Sequence, residues 1–275
     1  MQKQCNDMKY SVFICVCKYD DTEDFLRAYK SIVHQTVPPS EIVVCADRPR
    51  GRLLECVRSL EGACRVIYTD SNDDHARSRQ TALEACTNEL VAVMDADDVA
   101  FPDRFEKTLK YFEDDSVDVV GGSIREFSKD TTELLGMRKV PLTDEEIKKY
   151  MIKRCPFNHM TVMYRKSAVQ ESGGYLPMYF NEDYYLWIRM AQIGARFANM
   201  DDVLCYVGVS DRSYDRRGGR KYYESEKTLQ RYMCKHGIIS KHRYRLNVFI
   251  RYVVQIMMPA VVRKKFYNIF LRVKR

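Results

Sequence analysis

The hydrophobic pattern of the N-terminal part of the chain alternates between short apolar runs and amphipathic segments. Four apolar runs have the length and β-rich composition of buried strands, at residues 11–17, 41–46, 64–68 and 90–94. Segments with helical spacing separate them, at residues 22–34, 52–60 and 76–85. This alternation predicts an α/β fold with a mainly parallel sheet, helices on both faces, and ligands at the carboxyl ends of the strands.

The pattern is less regular after Pro102. Four more helices are predicted, at residues 104–112, 144–150, 166–172 and 183–193. Two strands are predicted as well, one ending at Gly121 and Gly122 and one spanning residues 161–164. These elements extend the domain over residues 1–220.

The C-terminal tail, residues 221–275, differs in charge from the rest of the chain. The formal net charge is +7, yet no Asp or Glu follows Glu226, whereas Lys and Arg recur up to the C-terminus. Residues 221–236 are expected to be helical, and the apolar stretch 246–273 begins with a segment that contains Arg251 and is short for a spanning helix. Such a basic amphipathic tail predicts binding to an anionic membrane surface, and the alternative is a helix packed on the domain with solvated Lys and Arg.

The cysteines and the N-terminus favour a cytoplasmic protein. The ten cysteines form no CxxC pair and no Cys/His metal spacing, and several lie within predicted strands or helices, so we expect buried thiols. Residues 1–10 are polar and predict no signal peptide.

Three carboxylates follow the fourth predicted strand, in the sequence VAVMDADD. In an extended chain Asp95 and Asp97 point the same way, so both can contact one cation or its water shell. A divalent cation prefers such oxygen ligands and often bridges to a diphosphate. Bunched carboxylates repel each other unless something offsets them, so the cluster favours a metal site, although Asp98 alone fits an ordinary helix cap.

Two other residues are expected at the same edge of the sheet. Asp47 ends the second strand, where a carboxylate can accept hydrogen bonds from a uracil imide or a ribose hydroxyl, although a lone Asp there is more often a turn residue. Arg79 lies one turn into the helix after the third strand, within reach of a base or a diphosphate. A solvated helix face is the equal alternative for this arginine.

A second cluster, NEDYYLW, places Glu182 and Asp183 at the start of a predicted helix. A carboxylate there can be a cap stabilised by the helix dipole, and it also has the fixed position that a general base needs. The basic segment 215–220 can close over a diphosphate or remain a solvated loop. The segment PFNH places a histidine beside an asparagine, where a structural role is the common alternative to a ligand contact.

The order of these motifs resembles the inverting family 2 glycosyltransferases, which have the GT-A fold. It begins with SVFICVC, HQTVPPSEIVVCAD, ARSRQTALE and VMDADD, and continues through RKVPLTDEEIKKY, PFNHMTVMYRKSAV, GGY, EDYYLWIRM and YDRRGG. The resemblance covers roughly residues 10–235. It is similar to the bacterial branch that builds capsule, exopolysaccharide and O-antigen repeats, including amylovoran-type enzymes.

The resemblance implies a role for each motif. The nucleotide-sugar half would span about residues 1–122 and bind a UDP-hexose donor through Tyr19, Asp47, Arg79 and Asp95. Arg216 and Arg217, from outside this half, would also contact the donor. Asp95 and Asp97 would form a DxD motif that holds Mn²⁺ or Mg²⁺. The acceptor half, about residues 123–220, would bind a saccharide linked to a polyprenyl diphosphate, with Asn158, His159 and Trp187 on the acceptor side. Asp183 would be the catalytic base, with Glu182 as the alternative.

The sequence departs from the family pattern at two positions. Arg48 replaces the usual Gly after the second-strand acid, and Gln80 replaces Asn in the usual Arg-Asn pair. Neither residue belongs to the proposed chemistry, and both lie where the resemblance places the nucleotide pocket, so the family pattern does not define the details of that pocket here.

Other functions fit the sequence less well. A nucleotidyltransferase would have a Gly-rich loop after the first strand, where KYDD has no glycine, and a haloacid dehalogenase-type phosphatase would carry its DxD after the first strand. A non-catalytic nucleotide-sugar or membrane-binding module would lack the base, so Asp183 argues against it, and turnover distinguishes the two. The basic tail contains no recognised nucleic-acid module, so no nucleic-acid partner is expected.

Overall fold

The computed structural model describes residues 8–71, 74–129, 132–210, 218–259 and 261–263. Its N-terminal half confirms the predicted alternation, with β1 (Tyr10–Cys17), α1 (Thr22–Val33), β2 (Glu41–Asp47), α2 (Gly51–Ser59), β3 (Arg65–Thr69), α3 (His75–Ala85) and β4 (Leu90–Asp95). These strands pair in parallel, and Cys15 of β1 lies opposite both Cys45 and Asp95. Their carboxyl ends therefore meet at one edge of the sheet.

The C-terminal half adds strands that run in both directions. Its elements are β5 (Asp98–Ala100), α4 (Arg104–Leu109), β6 (Val119–Ser128), β7 (Leu134–Arg138), α5 (Asp144–Met151), β8 (Met163–Arg165), α6 (Lys166–Glu171), α7 (Glu182–Gln192) and β9 (Phe197–Val209). Short 3-10 helices cover Lys110–Glu113 and His159–Thr161. The described residues form a nine-stranded sheet in the order β3-β2-β1-β4-β8-β6-β9-β5, with β7 paired to β6. Strands β5, β7 and β8 are antiparallel to their neighbours, and the sheet is otherwise parallel, as predicted.

The predicted end of β6 is wrong. The prediction ends a strand at Gly121 and Gly122, but β6 passes through both glycines to Ser128. A Cβ atom on Gly121 would lie 2.6 Å from Oδ1 of Asn199, and one on Gly122 would lie 2.7 Å from Cδ1 of Leu204. The two glycines thus make room for side chains of β9 and do not end the strand.

The described residues pack into two hydrophobic cores. One contains Trp187, which is fully buried, with its ring centre 5.1 Å from that of Phe157 and 6.3 Å from that of Tyr164. The other contains Phe25 and Phe105. The sequence predicts Trp187 on the acceptor side, but the structure places it in the interior, where it packs against Phe157 and Tyr164.

Two helices follow the sheet. They are α8 (Gly219–Lys235) and α9 (Lys241–Tyr252), and α9 continues as a π-helical turn at Val253–Met257. Leu229 and Met233 of α8 are fully buried in the same core as Trp187, so packing is continuous across residue 220. Within the described residues, no helix is both long and apolar enough to cross a lipid bilayer. The predicted apolar stretch 246–273 lies partly outside these residues.

Candidate active site

The candidate site lies at the carboxyl ends of β1, β2 and β4. Asp47 ends β2, Asp95 ends β4, and Asp97 follows in the turn before β5. The first turn of α7 approaches the same edge, because Arg79 of α3 contacts both Asp95 and Glu182. The fold thus brings Asp95, which is predicted to contact the donor, close to the two candidate catalytic bases Glu182 and Asp183.

Asp47 is almost fully buried, and its carboxylate organises the loop after β3. Oδ1 accepts a hydrogen bond from the backbone N–H of Ser71, and Oδ2 accepts one from the Ser71 hydroxyl, both at 2.8 Å. Each oxygen keeps a further lone pair, so a nucleotide contact by Asp47 stays a prediction.

Arg48 occupies a backbone conformation that favours glycine. Its φ angle is +51°, in the left-handed region. Nε of Arg48 lies 3.3 Å from Oδ1 of Asp70 and 3.7 Å from Oδ1 of Asp47. The backbone therefore keeps the glycine-like turn, and the arginine adds a positive charge beside Asp47.

Arg79 links two carboxylates at the centre of the site. Its guanidinium donates hydrogen bonds to Oε1 of Glu182 and, at 3.3 Å, to Oδ1 of Asp95, and its side chain is 15% exposed. Burial opposes the charge, but the two carboxylates outweigh burial and keep the pKa of Arg79 above its ordinary value. Arg79 is therefore a fixed positive charge beside the DxD segment, and its contact with a nucleotide stays a prediction.

Glu182 and Asp183 begin α7 in different surroundings. Glu182 is buried and paired with Arg79, and burial raises the pKa of its carboxyl. Asp183 is partly exposed. Its Oδ1 accepts a hydrogen bond from the backbone N–H of Tyr184 at 2.6 Å, and its Oδ2 lies 3.8 Å from Sγ of Cys155. The geometry thus commits Glu182 to Arg79 and leaves Asp183 accessible.

His159 lies behind Asp95 and is 6% exposed. Its Nδ1 is 3.8 Å from Oδ1 of Asp95, and its Nε2 is 3.1 Å from the hydroxyl of Tyr175. Burial opposes the ionisation of Asp95, but His159 and Arg79 outweigh burial and hold the pKa of Asp95 well below its usual range. His159 therefore acts on Asp95 from inside the protein.

Asn158 is also buried. Its Nδ2 donates a hydrogen bond to the carbonyl of Gly122 at 2.8 Å and so connects the 3-10 helix before β8 to β6. The structure gives this residue a supporting contact, and an acceptor contact stays a prediction.

The DxD oxygens suit a divalent cation but do not form a complete cage. The side chain of Asp97 is 41% exposed, and its Oδ2 lies 3.0 Å from Nζ of Lys129, which also contacts Asp24 at 2.9 Å. Across the described parts of the chain, no three His, Cys, Asp or Glu side chains are arranged to hold a metal ion. Asp95 and Asp97 would need further ligands, such as diphosphate and water, to hold Mn²⁺ or Mg²⁺, so a metal ion at this segment stays a prediction.

The sequence analysis does not predict two residues that lie at the edge of the sheet where the parallel strands end. Asp20 follows β1, accepts the backbone N–H of Cys17 at 2.7 Å, and has a pKa raised by burial and by Asp97. Lys129 follows β6, which runs parallel to β4. The rule that parallel strands end at one edge points to Asp20, whereas the predicted end of β6 at Gly121 and Gly122 places Lys129 beyond the reach of that rule.

Gln80 holds the turn that precedes α7. Its Oε1 accepts the backbone N–H of Tyr175 at 2.8 Å. Gly174 has a φ angle of +69°, and a Cβ atom there would lie 2.3 Å from the same Oε1. Gln80, which replaces the Asn of the family's Arg-Asn pair, thus packs against Gly174. It positions the segment that precedes Glu182 and Asp183.

Three predicted donor-side residues remain. Tyr19 is 70% exposed, and Nζ of Lys18 lies 4.7 Å from its ring centre. Arg216 and Arg217 lie outside the described residues. Contacts of these three residues with a donor stay predictions.

Similar proteins share both the sequence pattern and the length of this chain. A family model described as "Glycosyl transferase family 2" matches residues 11–173. An uncharacterized glycosyltransferase from Haemophilus influenzae is 33% identical over 269 residues, which cover 96% of this chain and 100% of that protein. The amylovoran biosynthesis glycosyltransferase AmsE of Erwinia amylovora is 32% identical over 226 residues, which cover 81% of this chain and 84% of AmsE. A UDP-Gal:alpha-D-GlcNAc-diphosphoundecaprenol beta-1,3-galactosyltransferase of Escherichia coli is 28% identical over 271 residues, which cover 96% and 97% of the two chains.

Solved structures share the fold at low sequence identity. S. aureus TarS 1-349 in complex with UDP-GlcNAc superposes with a TM-score of 0.65 at 15% identity, over 97% of this chain and 77% of that one. Mannosyltransferase PcManGT from Pyrobaculum calidifontis, in complex with GDP-Man and Mn²⁺, gives a TM-score of 0.61 at 16% identity, over 91% and 72% of the two chains. These neighbours confirm the predicted GT-A architecture. The extent of the family match and the two relatives above 30% identity show that the chain belongs to glycosyl transferase family 2.

Proposed function

We propose that the protein is an inverting, metal-dependent glycosyltransferase that moves a hexose from a UDP-sugar to a saccharide linked to polyprenyl diphosphate. The observation that carries the proposal is the accessible carboxylate of Asp183, which adjoins the Arg79–Glu182 pair beside the DxD segment. The similarity to AmsE, an amylovoran biosynthesis glycosyltransferase, supports a role in bacterial surface polysaccharide synthesis. Residues 1–122 would bind the donor and residues 123–220 the acceptor.

In the proposed reaction an acceptor hydroxyl binds beside Asp183, whose carboxylate takes the hydroxyl proton. The oxygen attacks the anomeric carbon from the face opposite UDP, the bond from that carbon to UDP breaks, and an α-linked donor yields a β-glycoside. Asp183 is proposed as the base in preference to Glu182, because the carboxylate of Glu182 is buried and paired with Arg79. A bound Mn²⁺ or Mg²⁺ would supply positive charge against the departing diphosphate, and Arg216 or Arg217 would assist.

The orientation of α9 and of its π-helical turn supports a position on a membrane surface, because one row of polar side chains faces the rest of the protein. Asn247, Arg251 and Gln255 recur every four residues along this face. Nδ2 of Asn247 donates to the carbonyl of Ile152 at 3.0 Å, and Arg251 pairs with Glu226 of α8. Arg251 therefore faces the protein and leaves the outer face free of its charge.

The outer face of α9 and of its π-helical turn carries a cluster of exposed apolar side chains, and Lys241, His242 and Arg245 are exposed near the start of α9. It exposes Leu246, Phe249, Ile250, Ile256 and Met257. An exposed apolar face within a basic tail is typical of helices that lie in the headgroup region of an anionic membrane. We therefore place the protein in the cytoplasm, on the inner face of the cell membrane, where it would reach a lipid-linked acceptor.

A donor screen tests the proposed reaction. The full chain is mixed with UDP-glucose, UDP-galactose, UDP-GlcNAc or UDP-GalNAc and with a lipid-diphosphate-linked GlcNAc, and UDP release is measured. We expect one donor to give acceptor-dependent release, a β-linked product and no activity in EDTA. Binding of UDP-sugars without turnover in any combination would instead favour a non-catalytic nucleotide-sugar-binding module.

A further inference from the structure

A pocket of about 460 Å³ opens next to Glu182, one of the two candidate catalytic bases. It lies between the start of α3, the loop before α7, and α8, and its walls include His75, Tyr179, Phe180, Glu182, Lys221 and Glu224. Its volume falls within the roughly 300–1,000 Å³ typical of small-ligand sites. We propose that this pocket binds the uncharged sugar of the acceptor that receives the transferred hexose, an assignment that rests on the proposed function.

Aromatic rings form one wall of the pocket. The ring centre of Phe180 lies 4.5 Å from that of Tyr179 and 5.3 Å from that of His75. Tyr179 is 40% exposed, so part of its ring is open to a ligand. The C–H faces of a pyranose are apolar and stack on such rings, whereas its hydroxyl groups need hydrogen-bond partners around the rim.

The backbone at this wall is held in an uncommon conformation. Phe180 has a φ angle of +51°, in the left-handed region that bulky residues rarely adopt. The hydroxyl of Ser225 donates to the carbonyl of Tyr179 at 2.7 Å, and Nδ2 of Asn181 donates to Ser225 Oγ at 3.1 Å. Helix α8 therefore fixes the aromatic loop before a ligand arrives, which lowers the entropic cost of binding.

Charge distinguishes a sugar from the diphosphate of a lipid-linked acceptor. Three acidic residues border the pocket, Asp74, Glu182 and Glu224, and the charge of Glu182 is paired with that of Arg79. The pocket also borders Lys221, whose Nζ lies 4.0 Å from the ring centre of Tyr179. An acidic lining repels a diphosphate, and its oxygens accept hydrogen bonds from sugar hydroxyls.

The position of the pocket beside Glu182 indicates that its sugar belongs to the acceptor and not to the donor. Glu182 forms part of the pocket wall and also contacts Arg79 in the catalytic centre, and Asp183 is its neighbour in the chain. A sugar in the pocket would thus lie against the first turn of α7, which also carries Asp183. The pocket wall on α8 also joins this site to α9, because Glu226 of α8 pairs with Arg251.

Ligand-observed NMR on the full chain tests the pocket, with the methyl β-glycosides of glucose, galactose, N-acetylglucosamine and N-acetylgalactosamine as probes. We expect saturation transfer to at least one glycoside, and a dissociation constant about tenfold higher for Tyr179→Ala. Tyr111→Ala is the matched control, because Tyr111 is also partly exposed (36%) but lies in the 3-10 helix after α4. The assignment is overturned if no glycoside binds the wild-type chain, if Tyr179→Ala keeps wild-type affinity, or if both variants lose affinity equally.

Titration of the same proteins with UDP separates this pocket from the donor site. UDP affinity should be the same in the wild type, Tyr179→Ala and Tyr111→Ala. Glycoside binding without UDP binding would contradict the proposed function and leave the pocket as a sugar site without an acceptor role, whereas UDP binding without glycoside binding contradicts the pocket alone. Displacement of the glycoside by inorganic diphosphate would also overturn the assignment, because the pocket would then recognise a diphosphate.

Discussion

The carboxylates of the site differ in the groups that hold them. Asp95 contacts Arg79, Asp97 contacts Lys129, and Asp183 accepts a backbone N–H at the start of α7. A carboxylate bound to a buried arginine has little freedom to take a proton or to move toward a substrate. Asp183 therefore suits proton transfer, and Asp97 suits a cation that competes with an ammonium group.

Asp183→Asn should lower kcat by about 10²- to 10⁴-fold, the usual contribution of a general base. UDP-sugar affinity should change little, because the proton transfer stabilises mainly the transition state and Asn preserves the size of the side chain. Steady-state kinetics and UDP titration measure the two effects separately.

Glu182→Gln is the control for this assignment. It leaves buried Arg79 without one of its two carboxylate partners, so we expect lower stability and weaker donor binding. If Glu182→Gln abolishes turnover with normal UDP binding while Asp183→Asn keeps near-normal kcat, Glu182 is the base. If neither change affects turnover, the proposed mechanism is wrong.

Lys129→Met should tighten the binding of Mn²⁺ in the absence of nucleotide. The ammonium of Lys129 lies 3.0 Å from Oδ2 of Asp97, so a cation at that oxygen competes with it. The pair is partly exposed, which limits the expected gain to about two- to fivefold in dissociation constant. Titration followed by Mn²⁺ electron paramagnetic resonance measures it, and Asp97→Ala should lose the binding. Weaker binding in Lys129→Met would mean that Lys129 supports the cation site.

At the scale of elements, the sequence predicts those strands whose apolar residues are contiguous. The apolar run at residues 11–17 is buried on both faces as β1, and its contiguous apolar residues predict this strand. β9 was missed because exposed Asp201 and Asp202 interrupt its apolar pattern, at a shift of register between Met200 and Val203. Asp47 and Asp95 were placed at one edge because parallel strands align their ends, whereas the contacts of Lys129 depend on distant segments that no local pattern reveals.

Gly121→Ala should destabilise the fold by about 1–3 kcal/mol, because overpacking a close contact forces its neighbours to move. The added Cβ would lie 2.6 Å from Oδ1 of Asn199 and 2.9 Å from the ring of Phe157. Urea denaturation measures the loss. Combining it with Asn199→Ala should cost less than the sum of the single changes, because the second change removes the nearest clash. A midpoint unchanged in Gly121→Ala would show that β6 and β9 have more room than the structure indicates.

At the scale of the whole molecule, the donor edge, the aromatic pocket and α9 form a continuous path. Arg79 joins the DxD segment to Glu182, Glu182 lines the pocket, and α8 connects the pocket wall to α9. A lipid-linked acceptor has the same order of parts, with a reactive sugar at one end and a hydrocarbon chain at the other. The apolar face of α9 would therefore hold the enzyme where such an acceptor is anchored.

The wild-type chain should co-sediment with vesicles that contain anionic lipid. Rising salt should weaken this binding, because screening reduces the attraction between the basic tail and the headgroups. The double change Phe249→Ser, Met257→Ser should weaken it by about tenfold or more at every salt concentration, because two exposed apolar side chains lose their burial in the membrane. Leu134→Ser is the matched control, since Leu134 of β7 is 51% exposed but lies away from α9 in the chain. Binding that is insensitive to salt and reversed only by detergent would indicate insertion of the tail, and equal loss in the control would show that α9 is not the contact surface.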